Sequence, residues 1–338
     1  MRVLVTGATG FIGTSLVRRL RAEQMDVRAL VHSPEKAATL ANLGVEIVVG
    51  DITDLKALRA AVDGIETVYH LAGRLLMPGV PASEYWRTHY EGTQCILDAC
   101  HSDSSFQRFI LCSSTGVLGP TGEHPADESA PAAPTNVYEE TKWRAEELVQ
   151  RAIHLGMPGV IIRPGFVYGP GDSHLLGFFK MVQRRLFRPI GRKPVVLHPL
   201  YVDDLTDAWL LAASVPQALG ECFHISGAET VDIAELAKII ARAVGSRETR
   251  GWVPSPLAWG LGLGGDFLAS TLHISPPLTR SRLDFLTNSR VYDVSKAQRL
   301  LGFTAKTDLA CGITQTVRWY QKIGSLPPPL PVPATVLR

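Results

Sequence analysis

The chain has no paired cysteine spacing, no dense run of charge of one sign and no charge-free apolar stretch of about 20 residues, the length a membrane-spanning helix needs. Each absence removes a class of function. The 34 Lys and Arg against 32 Asp and Glu leave a formal net charge of +2. No basic run is dense enough to act as an electrostatic footprint, so neither nucleic acid nor an acidic membrane is an expected partner. The 5 cysteines, at 95, 100, 112, 222 and 311, form an odd set without a CxxC, which argues for free thiols in a reducing compartment rather than a disulfide frame or a zinc site. The 10 histidines show no HExxH or other ligand spacing, so no metal is expected. The opening "MRVLVTGATG" runs straight into a strand pattern, with too short an apolar run for a signal peptide; a cytoplasmic protein is the expectation. One segment tests it. "PLAWGLGLGGDFLASTLHI", residues 256–274, is apolar and glycine-rich, with Asp266 in its middle and His273 near its end. It reads as a buried or pocket-lining loop and helix, with peripheral membrane contact as the alternative.

What is present is an ordinary globular composition, 46% hydrophobic and 20% charged, in 338 residues. That length is large for a single core and points to one large domain with an attached lobe, or to two domains. In the first half, "RVLVT", "DVRALV", "VEIVVG", "TVYHLA", "RFILCSS" and "GVIIRPG" read as strands, and the segments after Gly10, Ser33, Asp54, Tyr85 and Asn136 as helices. Near-continuous apolar strands separated by helices predict a parallel sheet covered on both faces, a doubly wound α/β domain of the Rossmann type. After Gly169 the alternation weakens. "PLYVDDLTDAWLLAAS" gives a strand end and a helix, "CFHISG" a short strand, and "DIAELAKIIARAVG" a helix stopped at Gly245. Asp203 and Asp204 are adjacent, so their side chains diverge; helix capping is expected of them rather than paired carboxylate chemistry. Cys95 and Cys100 fall in an amphipathic helix as packing residues. The expected division is a dinucleotide-binding domain of 1–168 with 193–226, a smaller substrate-binding lobe of 169–192 with 227–323, and a Pro-rich tail at 324–338 that can form no regular helix or central strand.

Directly after the first strand, "TGATGFIG" spaces Gly7, Gly10 and Gly13 by two residues each. Glycines at a strand-to-helix turn let backbone approach a pyrophosphate, and the helix behind supplies amide donors. The turn resembles the GxxGxxG of the extended short-chain dehydrogenase/reductases, the branch that includes epimerases, dehydratases, dihydroflavonol reductases and 3β-hydroxysteroid dehydrogenases. The resemblance runs nearly end to end, through "GDIT" (50–53), "HLAG" (70–73), "RPGFVYGPGD" (163–172), "YVDDLTDA" (201–208) and "YDVSKAQRLLGF" (292–303). It implies a nicotinamide dinucleotide held by Gly7, Thr9, Gly10, Phe11, Ile12 and Gly13, by Leu71, Ala72 and Gly73, and by Pro164 and Val167. Asp51 would accept from the adenine amino group while Ile52 packs on the ring. At the end of the second strand, "VRALVHSPEK" offers no acid for a ribose 2′-OH, and His32 stands where a reductase-type arginine would clamp a 2′-phosphate. This favours NADP(H) over NAD(H).

"VYEETKWRAEE", residues 137–147, carries Tyr138 and Lys142 four apart, hence on one face of a helix. Alone the pair could be a solvated face. The family resemblance makes it catalytic, with Ser114 of "LCSSTGVLG" as the hydroxyl partner and Ser113 and Thr115 as its neighbours. A phenol with an ordinary pKa near 10 is a poor base at neutral pH, so a lowering of roughly 3 units is expected, supplied by Lys142 and an oxidised nicotinamide. Tyr138 would then move the proton, Ser114 would hold the reacting oxygen, and Lys142 would also bind the nicotinamide ribose.

The substrate follows from departures. Nucleotide-sugar members usually carry Asn three residues after the Arg of this motif to hold a diphosphate; here the position is Phe166, and a phenyl ring cannot donate. "RPGFVYGPGD" and "PPLTRSRLDFL" look like the hydroxysteroid dehydrogenase and dihydroflavonol reductase side, and Thr115 and Phe166 are the candidate substrate contacts. The expectation is an NAD(P)-dependent oxidoreductase interconverting an apolar secondary alcohol and ketone, in a homodimer implied by the family. The alternatives are a nucleotide-sugar epimerase or dehydratase with bound NAD, and a dinucleotide-binding sensor without turnover. In "THYEGT", His89 replaces the family's common Asn, leaving the helix-kink or relay role of that position open.

Overall fold

The computed structural model describes residues 1–100, 106–272 and 280–328. Six strands, β1 (Arg2–Thr6), β2 (Asp26–Val31), β3 (Glu46–Val49), β4 (Thr67–His70), β5 (Arg108–Cys112) and β6 (Gly159–Pro164), join Cys222–Ile225 in one seven-stranded sheet. Its order is Cys222–Ile225, β6, β5, β4, β1, β2, β3, and every pairing is parallel. Alternate side chains point to opposite faces. Val3, Val5, Tyr69, Ile110 and Ile162 join one core, and Leu4, Val68, Phe109, Leu111 and Ile161 the other. The first core is closed by α1 (Phe11–Ala22) and the helix Val202–Ser214 through Leu16, Leu20, Leu205 and Trp209. The second is closed by a helix at Leu55–Val62 and by the helices Gly92–Cys100 and Val137–His154. The chain runs outward from β1 to β3 and then crosses to β4, so the strand order reverses at β1 and β4, where doubly wound sheets bind their ligands.

A separate core gathers Tyr168, Phe179, Tyr201, Leu236, Ile240, Ile313 and Tyr320, between the helices Ile233–Ala243 and Leu309–Lys322. Beside it lies a small cluster of Ile190, Ala258 and Leu283, which joins the helix Ser255–Leu272 to the helix Arg280–Thr287.

Three expectations need correction. The helix expected after Tyr85 begins at Ala82, and Trp86–Glu91 within it is a π-helical turn that leads directly into Gly92–Cys100. Asp203 and Asp204 do not cap the helix Val202–Ser214: they lie inside its first turn, where the dipole favours acids, and Tyr201 holds the cap position. Asp204 is buried and accepts the Lys306 and Thr307 amides, both at 3.1 Å, clamping the C-terminal region to the sheet domain. As far as its side chains are described, to residue 265, the glycine-rich segment is helical and mostly not buried. Between 255 and 265 only Ala258, Gly262 and Gly265 are buried, while Leu257, Leu261 and Leu263 are each 56% exposed and Trp259 is 40% exposed. Large side chains two residues apart are about 200° apart on a helix, so one narrow inner face cannot cover them all. Among the described residues no helix is long and apolar enough to cross a membrane. Residues 273 and 274 of that segment, and 329–338 of the Pro-rich tail, lie outside the described residues.

Candidate active site

The glycine turn sits at the reversal of strand order. Gly7 has φ +69°, and a Cβ there would lie 2.6 Å from the Leu71 carbonyl oxygen, so β1 and β4 approach backbone to backbone. A Cβ on Gly13 would collide with the Gly7 carbonyl oxygen. Gly10 occupies the N-cap of α1 and offers no side chain to its first amides, and no acid lies in the first turn. That end of the helix is therefore a cradle of N–H donors without a competing internal acceptor, which fits a pyrophosphate. Thr9, Phe11 and Ile12 flank it, partly exposed, and Leu71, Ala72 and Gly73 form the opposite wall. Asp51 accepts the Thr53 amide at 2.9 Å, the Thr53 hydroxyl at 2.7 Å and Arg87 at 2.9 Å, all on Oδ1. Burial pushes its carboxyl up, but the Thr53 and Arg87 contacts outweigh it and leave the pKa below the ordinary value. Ile52 packs under Gly92, where a Cβ would come within 2.8 Å of it. His32 lies exposed just beyond β2, Pro164 ends β6, and Val167 lies three residues on in the short strand Phe166–Tyr168.

Tyr138 and Lys142 project from the first turns of the helix Val137–His154, which starts there because Asn136 accepts the Glu139 amide at 3.1 Å. Lys142 is buried, and its Nζ donates to the Cys112 carbonyl at 2.8 Å. A Cβ on Gly73 would lie 3.1 Å from the same Nζ, so the ammonium bridges the ends of β4 and β5. Burial lowers its pKa. Ser113 and Ser114 have separate duties. Ser113 donates to Glu146 at 2.6 Å within the buried interior. Ser114 faces the site, accepts the Gly116 amide at 3.0 Å and lies close enough to Tyr138 to draw its pKa down.

Burial is the stronger influence on the phenol, and it pushes Tyr138 up to about 12. The lowering expected of Lys142 and an oxidised nicotinamide together has to act against this burial; with burial alone in force the phenol carries its proton at neutral pH. The Thr115 hydroxyl is buried and donates to the Pro164 carbonyl at 3.1 Å, tying the turn after β5 to the end of β6. Phe166 packs on Phe285 with ring centroids 5.2 Å apart, forming an aromatic wall just past β6.

Sequence reasoning missed the hydrogen-bond network beneath the site. The Ala72 amide donates to Thr6 Oγ1 at 3.1 Å, and Thr6 meets His70 Nδ1 at 2.8 Å. His70 Nε2 meets Thr93 Oγ1 at 3.0 Å, and Thr93 donates to the His89 carbonyl at 2.5 Å. Fixed backbone partners at each end set the directions: Thr6 donates to Nδ1, and Nε2–H donates to Thr93. His89 is the counterpart. The Arg74 amide donates to its Nε2 at 3.0 Å, so its proton is on Nδ1, 2.8 Å from Thr141 Oγ1 on the helix of Tyr138. Its ring also meets that of Tyr138 edge-on at 5.6 Å. Burial, reinforced by the Lys142 charge, lowers His70 to about 3 and His89 to about 2, so both stay neutral. The departure from Asn at 89 was visible in the sequence; its partners were not.

Two ion pairs fix the same helix from behind. Glu146 takes a forked contact from Arg163 on β6, and both side chains are at least 96% covered. Arg290 reaches Glu139 at 3.2 Å and Asp284 at 2.8 Å, linking the helix to the C-terminal region. Among the described residues no group of His, Cys, Asp and Glu could hold a metal.

The profile of the NAD dependent epimerase/dehydratase family matches residues 3–226. The chain belongs to this family. It is an enzyme of the extended short-chain dehydrogenase/reductase type, in a family that binds NAD. It is 30% identical to a 3 beta-hydroxysteroid dehydrogenase/Delta 5-->4-isomerase of Mycobacterium tuberculosis, over 94% of this chain and 90% of that protein. It is 26% identical to a 4-hydroxy-2-methyl-3-oxo-4-farnesyl-3,4-dihydroquinoline-1-oxide ketoreductase of Stigmatella aurantiaca, over 90% and 92% of the two chains. Its fold matches that of a UDP-glucuronic acid 4-epimerase from Bacillus cereus solved with NAD, with a TM-score of 0.76 at 23% identity over 96% and 99% of the two chains.

Proposed function

We propose that this enzyme interconverts a secondary alcohol and a ketone on an apolar, steroid-, flavonoid- or isoprenoid-like substrate. The observation that carries the reading is the Phe166–Phe285 pair just past β6, at the position where nucleotide-sugar members usually carry Asn. A diphosphate needs donors there, and two phenyl rings supply none, whereas a fused-ring or prenyl group gains about 25 cal/mol for each Å² it buries. The two curated relatives named above, one acting on a hydroxysteroid and one on a farnesylated ketone, support the same class. The epimerase shares the fold at an identity that speaks for the fold alone.

The residues fit a nicotinamide dinucleotide, since the glycine turn packs backbone to backbone on Leu71 with no side chain in between and the start of α1 is uncapped by a side chain. When bound, the nicotinamide supplies or takes up the hydride. Tyr138, protonated at rest, donates its phenolic proton to a ketone oxygen in reduction and takes it back from the alcohol in oxidation. Ser114 orients that oxygen, and Lys142, held by the Cys112 carbonyl, stands ready for the ribose. His32, with no acid beside it at the end of β2, favours NADP(H). A homodimer belongs to the same reading.

The test has two stages. Nucleotide released on denaturing freshly purified protein is identified and counted, and the emptied or exchanged protein is then assayed for NADPH- and NADH-dependent reduction of steroid and prenyl ketones. Reversible NADPH binding with turnover of an apolar ketone, lost roughly 10²–10⁴-fold in Tyr138→Phe with nucleotide binding retained, is the expected result. Tightly held NAD near one per chain, with epimerisation of a sugar nucleotide, would refute the proposal.

A further inference from the structure

A second surface, away from the glycine turn, combines two features that rarely meet by chance. A cavity of about 800 Å³ is lined by Arg184, Arg185, Arg188, Lys238, Arg247 and Arg250, with Glu248 as its only acid. Glu248 is engaged by Arg242 at 3.0 Å, and Lys238 by Glu235 at 2.8 Å. Among the described residues the five arginines of the cavity have no carboxylate within ion-pair distance, and all but Arg188 are exposed. Leu186 stands among them, 64% exposed.

The arginines adjoin the uncovered apolar helix. Val253 pairs with the 189–191 segment, its amide donating to the Pro189 carbonyl at 2.9 Å and its carbonyl accepting from Gly191 at 2.8 Å. Arg192 lies over the Trp252 ring at 4.8 Å, and Trp252 is 42% exposed. The helix Ser255–Leu272 begins two residues after Val253 and turns Leu257, Trp259, Leu261 and Leu263 outward. No charged residue occurs from 251 to 265. A soluble face of this kind would carry polar residues outward; this one is inverted, with a cationic cluster at its edge.

We propose that this face docks on the surface of a bilayer containing anionic phospholipid, with the arginines on the headgroup phosphates and the leucines and Trp259 in the interface. Charge complementarity selects this occupant: among the described residues the cavity's arginines have no carboxylate partner, and anionic headgroups supply the missing negative charge. Interfacial binding of this type joins buried apolar area to attraction for anionic lipid. The same helix pair leads inward: Ala258 packs with Leu283 and Leu286, and the adjacent Phe285 packs on Phe166. The docked face therefore lies one helical layer from the aromatic wall, a short route for a substrate dissolved in lipid. Only that last point rests on the dehydrogenase reading.

The test is flotation of the full chain with vesicles of phosphatidylcholine alone or with about one-third phosphatidylglycerol, at about 0.1 M and about 1 M salt. It needs no substrate, so its outcome is separate from that of the activity assay. The expected result is binding to the anionic vesicles at low salt. A variant with Arg184→Gln, Arg185→Gln and Arg247→Gln should bind about 100-fold more weakly, near fivefold per arginine. One with Leu257→Ser, Trp259→Ser and Leu261→Ser should bind at least about tenfold more weakly. Nicotinamide nucleotide affinity, unchanged in both, shows that they fold; should the serine variant fail, the glutamine variant still decides. Absence of vesicle binding, binding indifferent to the substitutions, or full displacement by soluble glycerol phosphate would overturn the proposal. A wild-type oligomer dissociated by the serine substitutions would do the same and assign the face to a second copy.

Discussion

Lowering the pH from about 7.5 to about 5 should remove a large part of this protein's folding stability through histidines alone. His70, His89 and His224 are buried as neutral rings, with pKa values of about 3, 2 and 3 against an ordinary 6.5. For all three the first cause is burial; the Lys142 charge adds to it for His70 and His89, and the Arg163 charge for His224. Each ring takes a proton near 6.5 once the chain unfolds and refuses it while folded. Its contribution is complete above 6.5 and is lost as pH falls through 6.5 toward 3. At pH 5 an unfolded histidine is stabilised by about 2 kcal/mol relative to pH 7.5, so three give about 6 kcal/mol. That is comparable with the whole stability of a typical domain, about 5–15 kcal/mol. His198, also lowered by burial, acts in the same direction. Carboxylates contribute mostly below this window, and Asp172 and Asp203, raised by burial, would oppose the trend only near its lower end. Urea unfolding at several pH values measures the slope, and His89→Asn should reduce it by about one-third of the three-histidine sum. A midpoint that stays constant from pH 7.5 to 5, or a variant with the wild-type slope, would refute the neutral-ring assignment.

Other outcomes follow from single contacts. Gly13→Ala puts a methyl against the Gly7 carbonyl oxygen, and about 1–3 kcal/mol of stability together with most nucleotide affinity should be lost, as read by melting and NADPH titration. Glu146→Ala leaves Arg163 buried without its carboxylate and should cost about 3–5 kcal/mol, whereas Glu146→Leu combined with Arg163→Met should recover most of it in a denaturation cycle. His32→Asp should move cofactor preference from NADPH toward NADH by about tenfold in kcat/KM, the effect of one charged contact.

The sheet and the glycine turn were legible because their signals are local. Strand runs such as "RFILC" are apolar on both faces, and three glycines at fixed spacing have few alternatives to a tight turn. The Tyr138–Lys142 spacing was legible for the same reason, since one helix carries both. What failed to read depends on partners distant in the chain. Thr6, His70, Thr93 and Thr141 lie in motifs read for other residues, and only the fold links them in one network with His89. Asp204 looked like a cap because caps are local, but its amide partners lie about 100 residues further on. Spacing places an ammonium near Tyr138 without revealing that its Nζ donates to the Cys112 carbonyl or that the phenol is desolvated by burial. The helix after Ser255 was read as buried because apolar composition usually means burial, and composition does not show which face is covered.

The π-helical turn at Trp86–Glu91 makes the span from Ala82 to Cys100 a ruler. Its wider winding sets the angle between His89, turned to Thr141, and Thr93, turned to His70. Losing one residue would return the turn to α-helical winding, since the wider winding is what absorbs it, and His89 would no longer face Thr141 while Thr93 faces His70. This stretch is thus constrained in length more tightly than in composition: its outward side chains can change freely, while a gap of one residue in any aligned relative would mark a differently wired site.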